Sequence, residues 1–176
     1  MRIIAGRWRG HRIQAPPGEK TRPTTDRVRE AWMSALLPEL PGGRVLDLFA
    51  GSGALGLEAL SRGAAHVTFV EKAAGPLRAL RANVERLGAG AETTVVKGDA
   101  LDFARRLPTG AFDVALADPP YGKALAAELV RIFLEGRFAA SLWVEHRRND
   151  PLPEAADART RRYGDTLLTT LRIPDA

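Results

Sequence analysis

The chain has 176 residues, 45% of them apolar and 27% charged, which is the make-up of a single folded domain and excludes a disordered polymer. It has no cysteine, which excludes disulfides, thiolate chemistry and cysteine-held zinc; His11, His66 and His146 lack ligand spacing, so no metal is expected. No apolar run approaches the roughly 18 residues of a membrane span, and Met1 to Gly6 is too short and too quickly charged for a signal peptide, so a cytoplasmic protein without a membrane partner is expected.

The net charge of +5 is localised. Residues 1–30 hold eight basic and three acidic side chains, leaving 18 of each sign in 31–176. A cationic N-terminus favours a polyanionic partner, because each neutralised phosphate releases counterions. In chain order, Arg2-Ile3-Ile4-Ala5 and His11-Arg12-Ile13-Gln14 flank a glycine-bounded polar turn and predict a small hairpin. Pro16-Pro17-Gly18 interrupts regular structure. Thr24 or Thr25 can cap a helix running to about Leu37, with Val28, Ala31, Trp32 and Ala35 on one face. Pro38, Pro41 and Gly42-Gly43 mark a boundary between an extension, 1–41, and a main domain, 42–176.

From Arg44 onward, strands are expected at 44–49, 66–71, 92–97, 112–117 and 140–146. Helical stretches near 54–62, 75–87, 99–106 and 123–135 lie between them. Such alternation builds a parallel sheet covered on both faces. Two further strand-like runs, 158–163 and 166–173, meet at Tyr163-Gly164-Asp165, a hairpin signal. The expected fold is therefore α/β: a mostly parallel seven-stranded sheet closed by a C-terminal antiparallel hairpin, with a small N-terminal hairpin-helix extension.

The first strand runs into Ala50-Gly51-Ser52-Gly53-Ala54-Leu55-Gly56, and Gly51, Gly53 and Gly56 stand at Gly-x-Gly-x-x-Gly spacing. That spacing supports a tight turn with close backbone approach to a ligand, and a nicotinamide dinucleotide fits it too. Asp47 decides between ligands. A carboxylate at that strand end repels a pyrophosphate and attracts an amino group and a sulfonium, which favours S-adenosylmethionine. Asp47 also suits capping of turn amides, and the roles can coexist. Glu71 ends the second strand twenty positions after Gly51, the offset at which an acid accepts a ribose diol. Asp99, after the third strand, suits either an adenine amino group or the N-cap of the next helix. The candidate cofactor-contacting residues are Asp47, Phe49, Gly51, Ser52, Gly53, Glu71, Asp99 and Ala100.

The fourth strand delivers Asp118-Pro119-Pro120-Tyr121. Two prolines donate no backbone hydrogen bond and fix a rigid corner, offering the Asp118 carboxylate and the Pro119 carbonyl as acceptors. An exocyclic amine on a base is a poor nucleophile, its lone pair being delocalised into the ring. Two fixed acceptors on its hydrogens draw the nitrogen toward tetrahedral geometry, so the reaction needs positioning and electrostatics more than a strong base. Tyr121 offers a face on which a base held out of its helix can stack. The candidate catalytic residues are Asp118, Pro119, Pro120 and Tyr121.

Leu46-Asp47-Leu48-Phe49-Ala50-Gly51-Ser52-Gly53 with Asp118-Pro119-Pro120-Tyr121 resembles the class I methyltransferases that act on exocyclic amines, and implies their Rossmann-like fold. Arg2-Ile3-Ile4-Ala5-Gly6, Arg9-Gly10, Arg22-Pro23-Thr24, Asp26-Arg27-Val28-Arg29-Glu30, Gly56 to Ala64 and Tyr163-Gly164-Asp165-Thr166 are similar to the bacterial 16S ribosomal RNA guanine-N2 methyltransferases. The resemblance runs nearly end to end. It implies methylation of guanine 966 in the head of the small subunit, within a partly or fully assembled particle; the single compact domain suggests a monomer. Trp32-Met33 departs from the pattern as a packing substitution, and 147–158 match nothing. Under this reading Arg7, Trp8, Arg9, Arg12, Arg22 and Arg29 hold RNA phosphates near the site mouth, Trp8 serving as stacking surface or as hairpin packing. The rivals are a DNA adenine-N6 methyltransferase, disfavoured because only about 40 residues lie outside the core, and a non-catalytic RNA-binding assembly factor, which need not keep Asp118 and the glycines.

Overall fold

The computed structural model describes residues 1–16 and 23–174. Seven strands form one sheet in the order β3-β2-β1-β4-β5-β7-β6. The parallel part comprises β1 (Arg44–Leu48), β2 (His66–Glu71), β3 (Thr93–Lys97), β4 (Phe112–Ala117) and β5 (Ala139–Arg147). The hairpin of β6 (Arg159–Tyr163) and β7 (Thr166–Arg172) adds to β5 in antiparallel sense. Each expected strand is present within two residues of its expected ends.

The central strands are apolar on both sides because helices cover both faces. Val45, Val114 and Leu116 face one layer; Leu46, Leu48, Ala115 and Ala117 face the other. The first layer contains α1 (Pro23–Leu36), α2 (Ala54–Ser61) and α3 (Ala74–Arg86), through Trp32, Met33, Leu57, Leu60, Leu77 and Leu80. The second contains α4 (Ala100–Arg105) and α5 (Leu125–Gly136), through Leu101, Leu129, Val130 and Phe133. Each such fully buried side chain contributes about 1.5–3 kcal/mol relative to exposure. Trp32 and Met33, the departure from the family pattern, are both fully buried.

Helix α1 begins at Pro23, ahead of the threonines expected to cap it. Proline suits a first helical position, where the missing N–H has no intrahelical acceptor. The expected hairpin is also shorter: its strands reduce to one antiparallel bridge, Arg2 to Arg12. The backbone donors that would have extended a ladder go to α2 instead. The fully buried Glu58 carboxylate accepts from Ile4 N–H and Ala5 N–H at 2.9 Å, the Ser61 carbonyl accepts from Arg7 N–H at 2.9 Å, and Ser61 Oγ accepts from Trp8 N–H at 3.0 Å. Ile3 and Ile13 thereby join the core of the first layer.

Candidate active site

Parallel strands bind ligands beyond their carboxyl ends, where the strand order reverses. Here the reversal lies between β1 and β4, which pair from Val45 with Val114 to Leu48 with Ala117. The glycine loop leaves β1 at the same level at which Asp118 leaves β4. In sheet order the strand tips carry Asp99, Glu71, the loop, Asp118 and Glu145, a row of acids across five neighbouring strands.

The loop turns through three left-handed residues at alternate positions, with φ of 57° at Phe49, 58° at Gly51 and 87° at Gly53. A Cβ at Gly53 would lie 2.4 Å from Leu80 Cδ1, so that glycine lets α3 pack under the loop; one at Gly51 would meet no atom within 4 Å. Gly51 thus turns its bare side to open space, where a ligand can approach the backbone. Ser52 is buried, and its carbonyl accepts from Asn83 Nδ2 at 2.9 Å. Asn83 also pairs in both directions with the backbone of Gln14, so one buried amide ties the N-terminal segment to the loop. Phe49 packs at the margin of the second layer, and Ala100 is buried as the first residue of α4.

Asp47 is buried beneath the loop, its Oδ2 accepting from Gly56 N–H at 2.9 Å. Burial pushes its carboxyl up to about 8, with the nearby Glu71 charge adding to the rise and the Gly56 bond opposing it. Glu71 faces the loop: Oε2 accepts from Gly51 N–H and Oε1 from Ala73 N–H, both at 2.7 Å. Asp99 caps α4, its Oδ1 accepting from Leu101 and Asp102 N–H at 3.0 Å, while Oδ2 lies 3.6 Å from Lys72 Nζ. The amide bond from Asp102 leads in holding the Asp99 carboxyl below its ordinary value.

At the Asp118-Pro119-Pro120-Tyr121 corner Pro119 is buried while Asp118 and Pro120 are exposed. Tyr121 Oη donates to Glu145 Oε1 at 2.6 Å, and the Arg147 guanidinium lies 4.3 Å from the tyrosine ring centroid. Burial leads in driving the Tyr121 hydroxyl upward, followed by Glu145, with Asp118 contributing. One ring face, expected to be open for stacking, is therefore covered by Arg147. Sequence reasoning missed Glu145 and Arg147. The available signal was an acid near the carboxyl end of a buried strand, close to the criterion that had singled out Glu71 at the end of β2.

The basic arm is only partly as expected. Arg9 and Arg12 are exposed. Arg7 is exposed but paired with Glu92, and its guanidinium stacks 3.9 Å from the Trp8 ring centroid. Trp8 packs against the first-layer core, the packing alternative of the two open to it. Arg29 is corrected: its side chain is 6% exposed, donating to the Arg2 carbonyl at 2.8 Å and facing Asp26. A buried guanidinium bonded to backbone holds the N-terminus on α1 and is not presented at the surface. Arg22 lies outside the described residues. A cavity of about 560 Å³ between β5–β7 and residues 152–158 includes none of the candidate site residues.

The crevice suits an adenosine-bearing cation. Asp47, Glu71 and Asp99 place acids at the ends of β1–β3, the bare side of Gly51 is open, and Lys72 is paired to Asp99, an arrangement that disfavours a pyrophosphate. A sheet of this order with its ligand crevice at the β1–β4 reversal is the architecture of the class I methyltransferases, whose methyl donor is S-adenosylmethionine.

Comparison with known proteins narrows the class. The family model described as Conserved hypothetical protein 95 matches residues 1–172. Ribosomal RNA small subunit methyltransferase D of Escherichia coli is 38% identical over 156 residues, covering 87% of this chain and 78% of the relative. The protein of the same name in Haemophilus influenzae is 38% identical over 157 residues, covering 86% and 81%. A solved Escherichia coli structure, 36% identical, superposes with a TM-score of 0.84 over 97% of this chain and 96% of its own. The chain belongs to the Conserved hypothetical protein 95 family, the small-subunit ribosomal RNA methyltransferases.

Proposed function

We infer that the protein transfers a methyl group from S-adenosylmethionine to the exocyclic N2 of a guanine in 16S ribosomal RNA, guanine 966 by the family resemblance. It acts as a cytoplasmic monomer on the small subunit or an assembly intermediate. The observation that carries this reading is the pairing of β1 with β4, which sets the glycine loop beside Asp118-Pro119.

When bound, S-adenosylmethionine supplies an electrophilic methyl group on a positively charged sulfur. Glu71 has a second lone pair on each oxygen for a ribose diol, and Asp99 has Oδ2 for an adenine amino group, its Oδ1 being committed to the helix cap. Asp47 fixes Gly56 from below and biases the loop toward cationic ligands. Asp118 and the Pro119 carbonyl accept the two N2 hydrogens and aim the nitrogen lone pair at the methyl group. The amine would form its new N–C bond with the methyl group that the bound donor would supply, the donor's S–C electrons leaving with sulfur. The nitrogen gains positive charge, which Asp118 stabilises before the proton leaves to it or to water. Arg9 and Arg12 are exposed to hold phosphates outside the crevice.

The test is labelled methyl transfer to small subunits lacking the modification, followed by nucleoside mass spectrometry. N2-methylguanosine is expected. N6-methyladenine in DNA, or no transfer to either substrate, overturns the reading.

A further inference from the structure

We propose that Glu145 reads the target base, accepting the N1–H of the guanine whose N2 is held by Asp118, and so selects guanine over adenine. This rests on the guanine-N2 reading above and names the residue behind its base choice.

Position is the first argument. The parallel register of β4 and β5 runs to Ala117 with Val144. One step further sets Asp118 beside Glu145 on neighbouring strands, about 4.8 Å apart. Strand alternation turns both toward the layer of Leu116 and Trp143, two residues earlier on each strand. The Tyr121 ring stands within reach of both, bonded to Glu145 and with its hydroxyl raised by the Asp118 charge.

The second argument is cost. Glu145 is half-buried at the lip of the crevice, and burial pushes its carboxyl upward. Among the described residues no cation lies within ion-pair distance of it; Arg147, stacked on the tyrosine ring, opposes the burial effect only through its charge. Tyr121 holds Oε1, and no described residue donates to Oε2. Partial desolvation makes a carboxylate with one protein hydrogen bond costly, and Oε2, which stays open rather than sealed in the protein, is the acceptor a ligand would engage.

The third argument is complementarity. Guanine presents N1–H beside its N2 amine, two adjacent donor groups. Adenine presents a lone pair on N1 beside its N6 amine. Two carboxylates side by side match the first edge, and Glu145 repels the second. Such a polar mismatch discriminates far more strongly than a change of shape.

The experiment replaces the target guanine in reconstituted small-subunit RNA by 2-aminopurine, which keeps the N2 amine but has a bare N1. Wild type should prefer guanine by at least about 100-fold in kcat/KM. Glu145→Gln can donate its amide to a bare N1 and still accept from Tyr121; it should lower guanine turnover and bring the two substrates within about 10-fold. If Glu145 only orients Tyr121, both substrates change together and the ratio stays at the wild-type value, which overturns the proposal. Melting temperature and donor affinity report the fold. Should Glu145→Gln unfold, Glu145→Asp, which withdraws the carboxylate by one methylene, must also lower the ratio. Wild-type product identity separates the two claims. Absence of N2-methylguanosine defeats the underlying reading, whereas its presence with an unmoved ratio defeats only Glu145.

Discussion

Asp47→Asn tests the site's least exposed carboxyl. The variant keeps the acceptor for Gly56 N–H at 2.9 Å and removes the ability to ionise. In the folded chain burial raises the Asp47 carboxyl from 3.8 to about 8. At about 1.4 kcal/mol per pH unit this difference amounts to on the order of 5 kcal/mol. The folded state holds its proton more tightly than the unfolded state, so Asp47 lowers stability as pH rises from about 4 toward 8. Below that window the group is protonated in both states, and above it the loss is complete. Urea unfolding of ligand-free wild type and Asp47→Asn from pH 5 to 9 reads this directly. Wild type should lose stability relative to the variant by several kcal/mol up to pH 8 and level off beyond it. Parallel curves would refute the burial argument. Binding of a cationic donor should restore the ionised form, so wild type should release a proton on binding near neutral pH and Asp47→Asn should not, a difference visible as buffer-dependent heats in calorimetry.

Asp118→Ala should abolish methyl transfer while leaving S-adenosylmethionine affinity within about 3-fold of wild type, measured by calorimetry, since its assigned partner is the base. Gly53→Ala should destabilise by about 2–4 kcal/mol in thermal or urea unfolding, because a Cβ there meets Leu80 Cδ1 at 2.4 Å on a backbone at φ 87°. Gly51→Ala, whose Cβ meets nothing, should cost only about 1–2 kcal/mol of backbone strain yet weaken donor binding. Arg9→Glu with Arg12→Glu should flatten the salt dependence of RNA binding by about one to two phosphate contacts; an unchanged slope removes these side chains from the RNA interface.

The glycine spacing, Glu71, Asp99 and the Asp-Pro-Pro-Tyr corner were legible in sequence, since each depends on neighbours along the chain; Glu145 was not. Asp99 shows the limit of such reading. Its helix cap uses one oxygen and leaves the other, a division that only coordinates display. Arg29 shows the opposite failure: one more arginine in a basic stretch, it became structural only because α1 folds it against the Arg2 carbonyl.

By itself the sequence determined the period-two and helical runs, hence an α/β sheet with helices on both faces, because local patterning must match what burial on those faces demands. Strand order is another matter. That β4 lies against β1, and that Glu145 then falls beside Asp118, is set by how helices of given length cross over the sheet and pack on its two faces. Such contacts join residues tens of positions apart, so no local pattern encodes them. The loop, the corner and Glu145 come together only when the tertiary structure aligns their strands.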